Sequence, residues 1–549
     1  MNAMARLLQA DAITRLVDRD PTLFSEDVDQ RQPIMQRLGW TDLAEKAAAR
    51  LPLVTNLASA LHTEGTSDIV LLGMGGSSLA PLVMNEVLGQ APGAPSLHVL
   101  DTTSPDVVAP LLEQLDPALT AFVLASKSGT TIEPLSLYAI FREWMDAALG
   151  RVPAGKRFIA VTDPGSPLER KRVKDIMRIA VSAPTAVGGR FSALSVFGMT
   201  PGALAGLDLA GLVEHALEME RACQAAGPEN PGADLAAWIA DSYTEGRDKL
   251  TLVASEALAS FGLWVEQLVA ESTGKGGVGI VPVLEDGSVP VAAYRGDRML
   301  VVLRTPDDTM AAAHAASALK SGIPLREFVL EEPAALGGEF VRWEYATALA
   351  GFLLGVNPFD EPNVAEAKSA TAAVLAGEMP VPAAVCDLDG IWPTPAGSLE
   401  DSGIPGDLRS AIDTLVETVD PGVGYLAILA YLPEGEELAL LRHAAATLST
   451  RRGCPVCVEV GPRYLHSTGQ LHKGGPPTGS FLVITRRSRI DIAVPDQSFS
   501  LGALYRAQAE GDLVTLAAHR RPVLRLDLPE GDAGIRRVAD ALGAEPPGS

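Results

Sequence analysis

The chain has 549 residues, 47% of them hydrophobic, and a formal net charge of −24. That length can bury several cores and suits on the order of two to four globular domains. The acidic balance argues against nucleic acid as the main partner, since phosphate backbones need Lys/Arg stripes, but leaves open a phosphorylated small molecule, for which one N–H-rich pocket suffices.

Residues 1–65 read as helices. Thr41–Arg50 is Ala-rich and Leu51–His62 continues its spacing, with Asp20-Pro21 and Gln32-Pro33 as punctuation. The opening MNAMARLLQADAITRLVDRD is amphipathic and carries acids, so it lacks the apolar core of a signal peptide. The segment reads as an N-terminal cap.

From Ser67 strands alternate with helices, which predicts a mainly parallel sheet covered on both faces. The expected strands are Asp68–Leu72, Leu97–Leu100, Ala121–Ala125 and Arg157–Thr162. Helices are expected at Leu79–Leu88, Pro105–Gln114 and Thr131–Leu149, with a turn at Val152–Gly155. After helices within 208–247 a second series follows. Its strands are Leu250–Ala254, Val278–Val283, Met299–Arg304 and Leu325–Leu330. Its helices are Ala257–Glu271, Asp307–Leu319, Glu339–Leu354 and, beyond a loop at 357–362, Asn363–Ala376.

Pro380–Pro405 is rich in Pro, Gly and Asp and reads as a linker. Beyond it lies a third α/β region, with strands Tyr425–Tyr431, Val456–Val460, Ser480–Ile484 and Val523–Leu528 and helices Glu436–Leu448 and Leu501–Gln508. The tail Gly543–Ser549 reads as disordered. The expected division is 1–65, 66–205, 206–380 and 381–549. No run of about 18 apolar residues suggests a membrane span. The four cysteines are too few for a disulfide framework, so a reducing cytoplasm is the natural setting. Cys454 and Cys457 form a C-x-x-C without a second ligand pair for zinc, and read as small core residues.

Two stretches carry most of the chemical information. Ile69–Pro81, IVLLGMGGSSLAP, is strand, glycine turn, helix. Its glycines let a ligand approach the backbone, and its serines stand where helix N–H groups attract anions. Glycines in such a turn also serve packing alone. Ala125–Pro134, ASKSGTTIEP, places four hydroxyls and the Lys127 ammonium at a helix start, a phosphate cradle by composition. Glu133 in the first helical turn reads as a cap that suits the dipole.

Other residues carry two readings each. Arg190 in GGRFS either reaches an oxyanion or lies on the surface beside a turn. Glu271 ends an apolar helix, where a carboxylate opposes the dipole. It is either a base with a raised pKa or a solvated acid paired with Lys275. On pattern alone Lys368 is an exposed lysine, and His466 and His472 in YLHSTGQLHKGG are loop histidines.

Taken together, GMGGSSLAP and SKSGTT resemble the sugar-isomerase (SIS) fold, which binds phosphosugars. Adding GGRFS, ESTGK and NPFDEPNVAEAK makes the stretch from Thr41 to Ala376 similar to glucose-6-phosphate isomerases. DPTLF…RLGW and HSTGQLHKGG resemble more narrowly the isomerase half of bacterial transaldolase–isomerase fusions. Too few residues precede Gly73 for a transaldolase barrel, so the chain would be a free-standing member or one half, with a transaldolase as a conceivable partner. The resemblance implies two SIS-type three-layer αβα units, a helical cap and a C-terminal α/β region. It implies that Ser77, Ser126, Ser128, Thr130 and Thr131 hold the substrate phosphate, with Lys127 nearby and Gly75, Gly76 and Gly189 lining the substrate loop. Glu271 would be the base of a cis-enediolate mechanism, Arg190 would stabilise the enediolate, and Lys368 would assist ring opening. Neither metal nor cofactor is implied.

One departure from the family pattern matters. The ring-opening histidine ordinarily precedes the final lysine motif, but here only His314, inside an apolar helix pattern, lies between Glu271 and Lys368. His466 is the best match, with His472 as the alternative, so the C-terminal region would fold back over the site. Three readings follow: a glucose 6-phosphate/fructose 6-phosphate isomerase, a related phosphosugar isomerase such as a dual glucose/mannose enzyme, or a non-catalytic phosphosugar-binding SIS protein. A sensor needs the cradle but not a base and an enediolate partner, so Glu271 with Arg190 favours an enzyme. Both a homodimer and a monomer are compatible with the sequence.

Overall fold

The computed structural model describes residues 1–543; the rest of the tail expected to be disordered, 544–549, lies outside them. The chain is an α/β protein, with three sheets among the described residues. The first contains β1 (Asp68–Leu72), β2 (Ser96–Leu100), β3 (Thr120–Ala125), β4 (Phe158–Thr162) and β5 (Ile179–Ser182), all parallel, in the order β2-β1-β3-β4-β5. Every residue of β3 is buried, as an apolar run covered on both faces requires. The chain leaves β1 for one edge and then crosses to β3 on the other side. β1 and β3 therefore flank a switch point, where the loops at their carboxyl ends part and leave a crevice. Those loops are the two glycine- and hydroxyl-rich stretches.

The second sheet repeats the pattern. β6 (Lys249–Ala254), β7 (Val281–Glu285), β8 (Arg298–Arg304) and β9 (Leu325–Val329) are parallel in the order β7-β6-β8-β9. The third contains β10 (Trp392–Gly397), β11 (Tyr425–Ala430), β12 (Val456–Val460), β13 (Gly479–Arg486) and β14 (Pro522–Leu528), ordered β10-β14-β13-β11-β12, with β10 antiparallel to β14.

Several expectations need correction. The 380–405 stretch is more than a linker, because it contains β10. Pro393 and Pro395 stand two apart, so their missing N–H groups share the outer edge of a strand whose one neighbour is β14. The carbonyl of Pro393 accepts from Val385 N on that edge. Val152–Gly155 is not a turn but part of a short helix, Arg151–Lys156, where Pro153 falls in the first turn and no N–H is missed. Ala257–Glu271 is interrupted: a 3-10 turn at Glu256–Leu258 precedes helix Phe261–Thr273. The edge strand β5 and the amphipathic helices Leu408–Val416 and Ala533–Leu542 lie outside the expected elements. No helix of the described residues is long and apolar enough to cross a membrane.

An aromatic chain ties the N-terminal helices to the segments that carry the motifs. Trp40 stacks on Phe191 at 4.9 Å and meets Tyr345 edge-on at 5.0 Å. Phe359 packs on Phe191 at 5.4 Å and on Phe24 at 5.0 Å. Such contacts add about 0.5–1.5 kcal/mol each beyond area burial. They lock the backbone beside Arg190 and beside Glu361 into one core, which brings those two side chains to the same place.

Candidate active site

The turn after β1 is held by close approach. Gly75 has φ +54°, the left-handed region that favours glycine, and a Cβ there would fall 2.8 Å from Gln267 Nε2 and 3.1 Å from the His466 backbone oxygen. At Gly76 a Cβ would lie 2.1 Å from the Gly189 carbonyl oxygen, and Ser192 Oγ donates to both Gly76 O and Gly189 O. The expected substrate-loop glycines therefore bring three motifs into contact. Gly76→Ala pushes backbone against backbone. It should cost about 2–3 kcal/mol of stability, read as a lower urea midpoint, together with loss of any activity that needs the turn. Ser78 Oγ is used up on Gly75 O, while Ser77 stays half-buried at the end of the 3-10 turn.

The loop after β3 turns its hydroxyls on one another. Ser126 Oγ pairs with Thr131 Oγ1 at 2.9 Å and accepts from Gly129 N, and Ser128 Oγ pairs with Thr130 Oγ1 at 2.9 Å. Ser128 and Thr130 are exposed and helix Ile132–Leu149 starts directly behind them. Hydroxyls rotate at little cost, so an arriving anion can meet them together with the first N–H groups of the helix. Lys127 is committed elsewhere: its Nζ lies 2.5 Å from Asp163 Oδ2 and donates to Thr185 O.

Glu271 and Arg190 are both buried. Arg190 Nη1 stands 2.9 Å from Glu271 Oε1, with side-chain exposures of 6% and 8%. The remaining guanidinium donors reach Ser272 Oγ, Glu361 Oε2, Pro358 O and Asp360 O, so the group has one fixed orientation. Burial holds the Glu271 carboxyl above its usual range. Glu361 adds to that, and Arg190, His466 and Lys275 oppose it. The helix dipole raised this possibility in the sequence, but desolvation is the main cause. Lys275 is not the partner of Glu271: its Nζ pairs with Asp360 Oδ1 at 2.7 Å, and burial pushes its pKa down to about 8. The surface and solvated alternatives for Arg190 and Glu271 are thus excluded.

His466 reaches the same place from the third region. Its Nε2 lies 2.9 Å from Glu133 Oε1, and its backbone oxygen accepts from Gln267 Nε2 at 2.6 Å. Gln267 also donates to Glu271 Oε2, so one amide links the helix that carries Glu271 to the histidine. His472 is elsewhere, 3.3 Å from Glu459 and packed among Tyr425, Tyr464 and Phe481. Lys368 is exposed on helix Pro362–Leu375, and its charge acts on Glu133.

Sequence reasoning missed the partners of His466. Glu133 is 4% exposed and bonded to His466 and Gln508, the latter also accepting from Thr103. Its cap-like position disguised this role. Ser467 and Thr468, the next two residues, donate to Glu266 and Glu459 respectively. The spacing of Gln267 one turn before Glu271 was the one available signal, since residues four apart share a helix face.

A family model described as phosphoglucose isomerase matches residues 59–284. A glucose-6-phosphate isomerase of Symbiobacterium thermophilum is 30% identical over 389 residues, 61% of this chain and 86% of that protein. A probable glucose-6-phosphate isomerase of Halobacterium salinarum is 32% identical over 326 residues, 52% of this chain and 75% of that protein. Among solved structures, a hypothetical protein from Thermus thermophilus superposes with a TM-score of 0.59 at 28% identity, covering 68% of this chain and 97% of that one. A glucose-6-phosphate isomerase from Chlamydia trachomatis shares the fold, with a TM-score of 0.53 at 19% identity over 69% of this chain and 85% of that one.

Proposed function

The chain belongs to the glucose-6-phosphate isomerase family, and on that premise we infer that it interconverts glucose 6-phosphate and fructose 6-phosphate, with Glu271 as the base. The buried Glu271–Arg190 pair at 2.9 Å carries this reading, because it supplies a basic carboxylate and a fixed cation side by side. With the sugar open, Glu271 takes the C2 proton. The electron pair of that C–H bond forms the C1–C2 double bond, and the negative charge moves to the C1 oxygen as a cis-enediolate. The same carboxyl returns the proton to C1 while the hydroxyl proton passes from O2 to O1, leaving the ketose. Arg190 faces the developing charge. Ser77, Ser126, Ser128, Thr130 and Thr131 hold the phosphate, whose binding energy places the reacting carbons. His466, oriented by Glu133, and Lys368 serve ring opening.

All these groups belong to one chain, so a monomer can be active without a residue from a second copy; light scattering across the assay concentrations checks that state. Residues 66–205 and 206–380 act as the two SIS units. Four unpaired cysteines suit a cytoplasmic setting. The test is a coupled assay, with fructose 6-phosphate supplied and glucose-6-phosphate dehydrogenase with NADP as reporter. Robust NADPH formation supports the reading, and its absence despite phosphosugar binding overturns it. In deuterium oxide the product should carry deuterium at C2.

A further inference from the structure

The guanidinium at the centre of the site serves two carboxylates. Arg190 Nη1 lies 2.9 Å from Glu271 Oε1 and 3.2 Å from Glu361 Oε2. Glu361 is the last residue before helix Pro362–Leu375. Its other oxygen stands 3.7 Å from Arg37 Nη2, at the wall of a cleft of about 240 Å³ between the N-terminal helices and the 357–362 loop. A row of alternating charge, Arg37–Glu361–Arg190–Glu271, thus runs from the N-terminal segment to the base.

We propose that Glu361 is a positioning residue for the isomerisation: it holds Arg190 between two carboxylates, which keeps Glu271 a competent base and the guanidinium shared between the two acids rather than committed to the base. The inference rests on the reading of Glu271 as that base.

A lone ion pair with Arg190 would make Glu271 a poor base and commit the cation to it. A second anion on the same nitrogen, Nη1, competes for that cation. Burial works against the Glu361 charge, yet Arg190, Arg37 and Lys275 hold its carboxyl below the usual range. Glu361 therefore stays ionised where Glu271, which sits above that range, takes up its proton. The other charged groups facing Glu271 are already occupied. Lys275 is paired with Asp360, and His466 with Glu133, on which Lys368 also acts. Gln267 and Ser272 are neutral donors and acceptors. Glu361 is the ionised acid that adds to the burial of Glu271.

Glu361→Gln keeps the shape and removes the charge. The acid-side midpoint of kcat/KM for fructose 6-phosphate should move down by about one pH unit. Above that midpoint kcat should fall about tenfold, with KM little changed. Glu361→Asp should return the midpoint toward wild type. A merely structural role would lower the amount of folded enzyme and leave the midpoint in place. Carbon-detected NMR of glutamate-labelled protein, with the Glu271 signal assigned by its loss in Glu271→Gln, follows the same titration without turnover. If the Glu271 titration moves down in Glu361→Gln but wild type does not isomerise, the coupling stands and the functional reading falls. A Glu271 titration unmoved in Glu361→Gln overturns the inference whatever the activity.

Discussion

Glu271→Gln should lower turnover of fructose 6-phosphate by about three orders of magnitude, while substrate binding followed by calorimetry stays within a few-fold of wild type. The substitution leaves an amide of the same size beside Arg190 but nothing able to take a carbon-bound proton. Affinity survives because the hydroxyls after β3 and the turn after β1 stand on other elements. Unchanged turnover would remove Glu271 from the base role. The pH profile follows from the same group. Burial raises the Glu271 carboxyl above the ordinary carboxylate range. A base works ionised, so the rate is full above that raised value and falls as the pH drops through it. The acid limb of kcat/KM should therefore lie above the pH at which a free glutamate titrates, and it should vanish with the residual activity of the variant.

His466→Ala should lower turnover about a hundredfold, with Glu133→Gln giving a loss of similar kind. The two side chains meet at 2.9 Å, one brought by the third region and one by the helix after β3. Despite burial, the Glu133 carboxyl is held below its usual range, first by His466 and then by Lys368, so an ionised carboxylate fixes the imidazole. Groups that act as one unit are not additive, and the double variant should be little worse than His466→Ala alone. Full activity of His466→Ala would discard the histidine from the mechanism. His472→Ala serves as the contrast. It removes a buried ring packed against Phe481 at 4.9 Å, so it should lower the urea midpoint rather than act on ring opening.

The parallel strands and the glycine and hydroxyl turns were legible because each is a local pattern. An apolar run of four to six residues bounded by Gly or Ser announces itself, as β1 and β3 did. Even the order of site motifs along the chain could be read. What could not be read was burial and pairing at long range. Glu133 looks like any first-turn acid until Gln508 and His466 close over it. Lys275 looks like the natural partner of Glu271, four residues on, but the 357–362 loop takes it away. Glu361 could not be connected to Arg190, 171 residues earlier, without the aromatic contacts that bring their segments together. β10 was missed because prolines usually signal a break, and their tolerance on an edge strand depends on a neighbour far along the chain.

The triplet His466-Ser467-Thr468 takes its partners from three places: Glu133 from the helix after β3 of the first sheet, Glu266 from helix Phe261–Thr273 beside the second and Glu459 from β12 of the third. The first of these contacts joins residues 333 apart. Each sheet can assemble from its own strands, but the imidazole has no seat until all three have formed and met. During refolding, ordered secondary structure is therefore not the same event as a finished enzyme. The long loop closures come last because their entropy is repaid only when the final contacts form. A chain halted on the ribosome before residue 466 would hold the turns after β1 and β3 and both members of the Glu271–Arg190 pair, but neither His466 nor the Gln508 that closes over Glu133.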